Sequence, residues 1–124
     1  MKILVDSSVW IDFFKNGNDK LQVFLNSGSV VINDIIFLEL APQLAFNKTH
    51  NVISLLRNQI PSPMMIDFAH LFEMRLSCLK NGINGVGIPD LMIAQYAIQN
   101  DFSLFSLDRH FYLMAKSLPI RMVE

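Results

Sequence analysis

The sequence has few of the features that mark several common protein classes. It contains a single cysteine, Cys78, so an internal disulfide cannot form and no cysteine pair is available to hold zinc. We expect Cys78 to be a small buried hydrophobic residue. Charged residues make up only 17% of the chain and the net charge is -1, which excludes a globally basic surface. Any nucleic-acid binding must therefore come from a local patch or from metal ions.

Long hydrophobic segments and export signals are also missing. The most apolar stretch, residues 30–46, is interrupted by polar side chains that include Glu39, which argues against a membrane span. The first apolar run stops at Asp6, so the N-terminus does not have the pattern of a secretory signal. These observations predict a cytoplasmic protein with no membrane partner. A length of 124 residues predicts one domain over residues 1–124.

Short apolar runs alternate with helical patterns along the chain. Residues 3–5, 30–32 and 102–105 have the composition of buried strands. Residues 64–66 are a weaker strand candidate because methionine is a poor strand former, and residues 119–123 are a candidate edge strand. Strands that alternate with helices predict an α/β fold. Its sheet should be mainly parallel, with four to five strands, and covered by helices on both faces.

Polar residues and prolines mark the expected helix boundaries. Asp19, Asn33 and Asp67 stand where helices should begin, since their side-chain oxygens can accept from the free N–H groups of a first turn. Pro42 falls inside the helical pattern that follows Asn33. We therefore expect a kink or a break there.

Four carboxylates fall at comparable places in this topology. Asp6 ends the first strand and Asp108 follows the strand at 102–105, while Asp90 begins a helix after a glycine-rich loop. Glu39 lies within an apolar helix that begins at the end of the second strand, and glutamate is rarely buried without a partner. Since the carboxyl ends of parallel strands meet at one edge of a sheet, all four carboxylates can converge there.

Such a cluster repels itself unless a cation neutralises it. Carboxylates with retained water are the ligands that Mg²⁺ or Mn²⁺ requires. Taken singly, Asp6 and Asp90 are explained as helix caps and Asp108 as a turn residue. Taken as a set in this order, the carboxylates predict a metal site of the kind that hydrolyses phosphodiester bonds.

The motifs around these residues resemble those of the PIN-domain ribonucleases, and specifically the VapC-type toxins of bacterial toxin–antitoxin pairs. They read D-S-S-V-W-I-D from Asp6, L-E-L around Glu39, I-P-D-L-M-I-A around Asp90 and S-L-D-R-H-F around Asp108. The resemblance runs from Lys2 to about the end of the chain in length and motif order.

The resemblance implies a PIN-like three-layer α/β/α fold and an endoribonuclease that depends on Mg²⁺ or Mn²⁺ and hydrolyses RNA. It implies that the metal is held by Asp6, Glu39, Asp90 and Asp108. It also implies that Ser7 lies beside the site and that Ser106 is the hydroxyl residue that precedes the last Asp by two. The family often has an acidic residue where this chain has His110.

Partners are expected as well. The resemblance implies a cognate antitoxin protein and a homodimer. The low charge and the apolar residues of the early helices, such as Trp10, Phe13, Phe14 and Phe24, predict a groove that accepts an amphipathic helix of the antitoxin. Among the cationic residues, Arg109 is one of several candidates for phosphate contacts.

Two other functions remain open at this point. A catalytically silent PIN-like module would bind RNA or protein without cleaving it. A phosphatase or receiver domain would use a similar acidic sheet edge. Phosphatases of the Asp-x-Asp type need a second Asp where this chain has Ser8, and the paired acids and late lysine of a receiver are not evident.

Overall fold

A computed structural model describes residues 1–124, which form three short strands and seven helices. The strands are β1 (Ile3–Val5), β2 (Val30–Val31) and β3 (Ser103–Phe105). The helices are α1 (Ser7–Asn16), α2 (Asp19–Asn26), α3 (Asp34–Phe46), α4 (His50–Arg57), α5 (Phe68–Lys80), α6 (Ile88–Asn100) and α7 (Arg109–Met114). The strands form one parallel sheet in the order β2-β1-β3. The predicted α/β fold with a parallel sheet is confirmed.

The centre of the sheet is its first strand, β1. Ile3, Leu4 and Val5 are all buried. Because successive side chains of a strand point to opposite faces, burial of all three means that both faces of the sheet are covered. The helices therefore pack on both sides of a thin sheet, and the carboxyl ends of its strands lead into α1, α3 and α7.

The strand count is lower than predicted. Residues 64–66 form no strand. Pro61 and Pro63 precede this segment, and a side chain of α6 bonds its backbone instead, since Gln99 Nε2 donates to the Met65 carbonyl over 2.8 Å. Residues 119–123 contribute only one bridge, in which Met122 pairs with Leu104. Pro119 has no N–H to give to a ladder, which helps to explain why pairing at this edge is so short.

The helix boundaries follow the predicted caps, with two differences. Asn33 and Asp67 cap α3 and α5 as predicted, through bonds to the N–H groups of residues 36 and 70. The cap of α2 is Asn18 rather than Asp19, because the Asn18 Oδ1 accepts from the Leu21 N–H over 3.0 Å. A kink or a break was expected at Pro42. There is no break, since α3 continues through this residue to Phe46.

Two further expectations concern the interior and the membrane. Cys78 is buried and unpaired, as predicted. None of the helices has the length and apolar character needed to cross a bilayer.

Candidate metal centre

Asp6 occupies the point where β1 passes into α1. The residue is buried, with a relative exposure of only 5%. Its Oδ2 accepts hydrogen bonds from the Ser8 hydroxyl over 2.7 Å and from the Ser106 hydroxyl over 2.9 Å, with a longer contact to the Ser8 N–H. No protein donor reaches Oδ1. One oxygen of this buried carboxylate is therefore fixed by hydroxyl groups, while the other is free to bind a cation.

The same two serines join the loop after β1 to the loop after β3. The Ser8 hydroxyl accepts from the Leu107 N–H over 3.0 Å, and the Ser106 hydroxyl accepts from the Asp108 N–H over 2.9 Å. Asp6 and Asp108 come from distant parts of the sequence, so these bonds fix the separation of two of the predicted carboxylates.

Asp90 lies in the first turn of α6, behind Pro89. Its pKa is raised, first by burial and then by the negative charges of Asp108 and Asp6. His110 and the backbone of Gly87 act in the opposite direction. Asp90 is thus within electrostatic range of two other carboxylates, and they make its ionised form less favourable.

Glu39 differs from the expectation in its burial. Residue 39 is exposed on α3, where it lines a shallow groove with Lys15 and Gln43, so the argument from a buried glutamate was wrong. The pKa of its carboxyl is nevertheless raised, by partial desolvation first and then by the charges of Asp6 and Asp90, and Ser7 opposes the rise. Glu39 therefore contributes to the same negative field from a more open position.

Asp108 is the N-cap of α7 and lies against His110. Its Oδ1 accepts from the His110 N–H over 2.9 Å and is 3.3 Å from His110 Nδ1. Asp90, Asp108 and His110 each place one ligand atom within 4.8 Å of the others. Two carboxylate oxygens and an imidazole nitrogen are therefore close enough to share one ion. Asp6 and Glu39 are not part of this close group, and their link to it is the effect of the Asp6 charge on Asp90 and of the Asp90 charge on Glu39.

These residues fit a divalent cation on two grounds. The free oxygen of Asp6 and the raised pKa values of Asp90 and Glu39 are the features of a site whose negative charge is not balanced by protein groups. Carboxylate oxygens are ligands suited to Mg²⁺ or Mn²⁺, whereas the imidazole of His110 is a ligand preferred by other transition metals.

The profile of the PIN domain matches residues 3–117, which is nearly the whole chain. The chain belongs to the PIN-domain family. No curated protein matches the sequence significantly. The sheet edge that carries Asp6, Asp90 and Asp108 is therefore an edge of a PIN fold.

Solved structures agree with the PIN assignment. VapBC-1 from nontypeable Haemophilus influenzae superposes with a TM-score of 0.77 at 17% identity, covering 100% of this chain and 98% of that chain. FitAcB from Neisseria gonorrhoeae gives 0.74 at 19% identity, with 98% and 96% covered. DNA-bound VapBC from Salmonella typhimurium gives 0.70 at 21% identity, with 99% and 97% covered. At these identities the likeness shows the fold.

The sequence analysis did not single out Ser8 as a site residue, and it noted His110 only as the position where the PIN family often has an acidic residue. Ser8, rather than Ser7, bonds Asp6, and nothing in the D-S-S motif separates the two serines before the direction of their side chains is known. His110 could have been found by helix geometry. It is the second residue after the N-cap Asp108, where an N–H bonds the cap carboxylate and brings the ring close to it. Ser106, which the resemblance implies is the hydroxyl residue two before the last Asp, donates a hydrogen bond from its hydroxyl to Asp6.

Proposed function

We propose that this PIN-domain protein is a metal-dependent endoribonuclease and the toxin of a toxin–antitoxin pair. The observation that carries the nuclease proposal is the electrostatic contact among Asp6, Glu39, Asp90 and Asp108. Besides burial, the charges of Asp6 and Asp108 raise the pKa of Asp90, and the charges of Asp6 and Asp90 raise the pKa of Glu39. Such a cluster costs stability in a metal-free protein, and a catalytic metal gives a reason for its presence.

The residues of the site would have different roles in catalysis. Asp6, Asp90 and Asp108 would hold Mg²⁺ or Mn²⁺, with Glu39 at the open side of the site. A bound ion supplies an activated water and positive charge at the scissile phosphate. Ser8 and Ser106 hold Asp6 in one orientation through hydrogen bonds to Oδ2, which would leave Oδ1 available as a metal ligand. Ser7 stands next to Glu39 and moderates its pKa.

The test is cleavage of a fluorogenic single-stranded RNA by wild type and by Asp6→Asn in millimolar Mg²⁺ or Mn²⁺. We expect the variant to cleave RNA at least about 100-fold more slowly, because a bound metal lowers the activation barrier by several kcal/mol. Asp19→Asn, an exposed substitution on α2, should cleave as wild type does. Undiminished cleavage by a folded Asp6→Asn protein would refute the assignment.

The same assay addresses a silent PIN-like binding module. Such a module would bind RNA in the presence of either ion and release no cleaved product. The complete carboxylate set and the free Asp6 oxygen favour the nuclease. Clustered carboxylates lower the stability of the fold, and RNA binding alone does not require them.

An antitoxin partner is supported by an apolar groove between α1, α2 and α4. The groove measures about 300 Å³. It is lined by Trp10, Phe13, Phe14, Leu25, Val52, Leu55, Leu56 and Gln59. Its shape and composition suit the apolar face of an amphipathic helix. Phe14 lines both this groove and the shallow groove that contains Glu39. A basic side chain from the bound helix would reach Glu39 by that route, neutralise negative charge of the carboxylate site and inhibit the enzyme. The solved relatives are themselves named as VapBC and FitAcB complexes.

A homodimer is supported by a second apolar surface. Phe68 and Phe72 of α5 and Ile88 of α6 are exposed, and these residues line one shallow apolar pocket. Exposed apolar surface of this kind is typical of a protein interface. Sedimentation equilibrium at micromolar concentration measures the assembly, and a monomer there would contradict the proposal.

A further inference from the structure

A polar groove that the proposed chemistry leaves unexplained lies between the loop after α5 and helix α7. Its volume is about 510 Å³, which falls within the roughly 300–1,000 Å³ of ordinary ligand sites. Asn81 and Asn84 form one wall, and Arg109, Leu113 and Lys116 form the other.

The charge of this groove is opposite to the charge of the whole chain. The net charge of the protein is -1, yet both charged residues that line the groove are cationic and no carboxylate lines it. The two ion pairs of the structure are His110 with Asp108 and Arg121 with Asp101. Arg109 and Lys116 therefore have no ionic partner, and their side chains make no hydrogen bond within the protein. Their charges are available to an anionic ligand.

The groove leads to the carboxylate cluster. The loop that begins at Asn81 continues past His110, since a Cβ at Gly85 would lie 3.6 Å from His110 Nε2. His110 in turn lies 3.3 Å from Asp108. Arg109 follows Asp108 directly in α7. A chain that leaves the carboxylate site along α7 therefore meets Arg109 first and Lys116 later.

We propose that this groove binds the sugar–phosphate backbone of the RNA strand next to the scissile phosphate. The inference rests on the proposed nuclease function. Arg109 begins α7 and Lys116 lies in the turn that follows it, about 10 Å apart if the helical rise is extended to Lys116. Their long side chains can therefore contact two different phosphates of one strand. No aromatic side chain lines the groove, so bases have no stacking surface there. The contacts hold and orient the strand without selecting its sequence.

The test is the salt dependence of binding to a labelled single-stranded RNA, measured by fluorescence anisotropy in EDTA so that the strand stays intact. In the double variant Arg109→Gln/Lys116→Gln we expect the slope of log K against log salt to fall by about 1.4, since each phosphate contact on a single strand contributes roughly 0.7. We expect the affinity at low salt to fall on the order of tenfold or more.

A matched control removes the same charge elsewhere. Lys2 and Lys48 are exposed and lie outside the groove, so Lys2→Gln/Lys48→Gln should leave the slope unchanged. Thermal unfolding checks that both double variants are folded. If wild type cleaves RNA while the groove variant binds with the same slope as wild type, the groove proposal is wrong and the nuclease proposal stands. A wild-type protein that neither binds nor cleaves RNA overturns both.

Discussion

At the scale of single residues, two of the site carboxylates, Asp90 and Glu39, oppose folding when no cation is present. Asp90 and Glu39 both have a pKa raised above the ordinary values of 3.8 and 4.5, because burial and neighbouring carboxylates disfavour their charged forms. The folded state then binds more protons than the unfolded chain as the pH rises from about 4. The contribution of these two groups to stability is therefore largest in acid and falls as the pH rises through their folded pKa values.

Asp90→Asn should accordingly stabilise the metal-free protein at pH 7 and have less effect at pH 4. We expect a gain of about 0.2–1 kcal/mol, the size of an interaction between partly exposed charges. Urea unfolding in EDTA at the two pH values measures the difference, and Asp19→Asn is the control for loss of an exposed carboxylate. A variant that is less stable than wild type at pH 7 would contradict this account of Asp90.

Ser8 supplies a second prediction at this scale. Its hydroxyl donates to Asp6 and accepts from the Leu107 N–H. Ser8→Ala should therefore lower the free energy of unfolding by about 1–2 kcal/mol, since two hydrogen bonds are lost and one involves a buried charge. It should also slow RNA cleavage, because Asp6 loses an orienting donor. Ser7→Ala is the matched control, and an equal loss of stability in both variants would show that the hydroxyl network is unimportant.

The residues of the site differ in how far the sequence could predict them. Asp6, Asp90 and Asp108 were identifiable because each stands next to a strand end or a helix start, and backbone topology alone brings such positions together. The exposure of Glu39 could not be predicted from the sequence, since an apolar helix has more than one face and only packing decides which face is covered. Ser8 required the direction of its side chain, whereas His110 follows from the N-cap position of Asp108.

At the scale of elements, the sequence predicts features that depend on neighbouring residues better than features that depend on distant ones. Asn33 and Asp67 predict helix starts because a cap is a local hydrogen bond to the next turn. The strand status of residues 64–66 and 119–123 depends on a neighbour to pair with, which no short sequence window contains. Pro42 shows a further limit, since α3 continues through it although helix propensity alone favours a break.

The groove between α1, α2 and α4 supplies the prediction that belongs to elements. Leu55 lines it and is 61% exposed, so it is available to a partner helix. Leu55→Gln should weaken binding of the cognate antitoxin by roughly 10- to 100-fold, the value of one buried leucine, and leave RNA cleavage unchanged. Val23→Gln on α2 is the control, because Val23 is 62% exposed and does not line the groove. Equal affinities of both variants, measured by isothermal titration, would exclude the groove as the antitoxin site.

At the scale of the whole molecule, the low charge of the chain has two structural counterparts. One is the buried cluster around the thin sheet, and the other is the apolar surface of the α1–α2–α4 groove and of Phe68, Phe72 and Ile88. Composition predicted that apolar surface would remain, since a domain of this size cannot bury 52% hydrophobic residues completely. It could not predict where, because the positions of the exposed faces follow from the helix packing.

The carboxylate cluster also links the site to the stability of the entire fold. A cation that binds only the folded state stabilises it by mass action, by about 2.7 kcal/mol at a concentration 100 times its Kd. For a chain of this length that corresponds to a rise in Tm of roughly 10 °C. We expect millimolar Mg²⁺ or Mn²⁺ to produce such a rise relative to EDTA in wild type and in Asp19→Asn. Asp6→Asn, which lacks one charge and the free carboxylate oxygen, should show a much smaller rise. Because this measurement needs neither RNA nor antitoxin, identical melting curves of wild type with metal and with EDTA would count against a metal centre at this edge of the sheet, whatever the protein acts on.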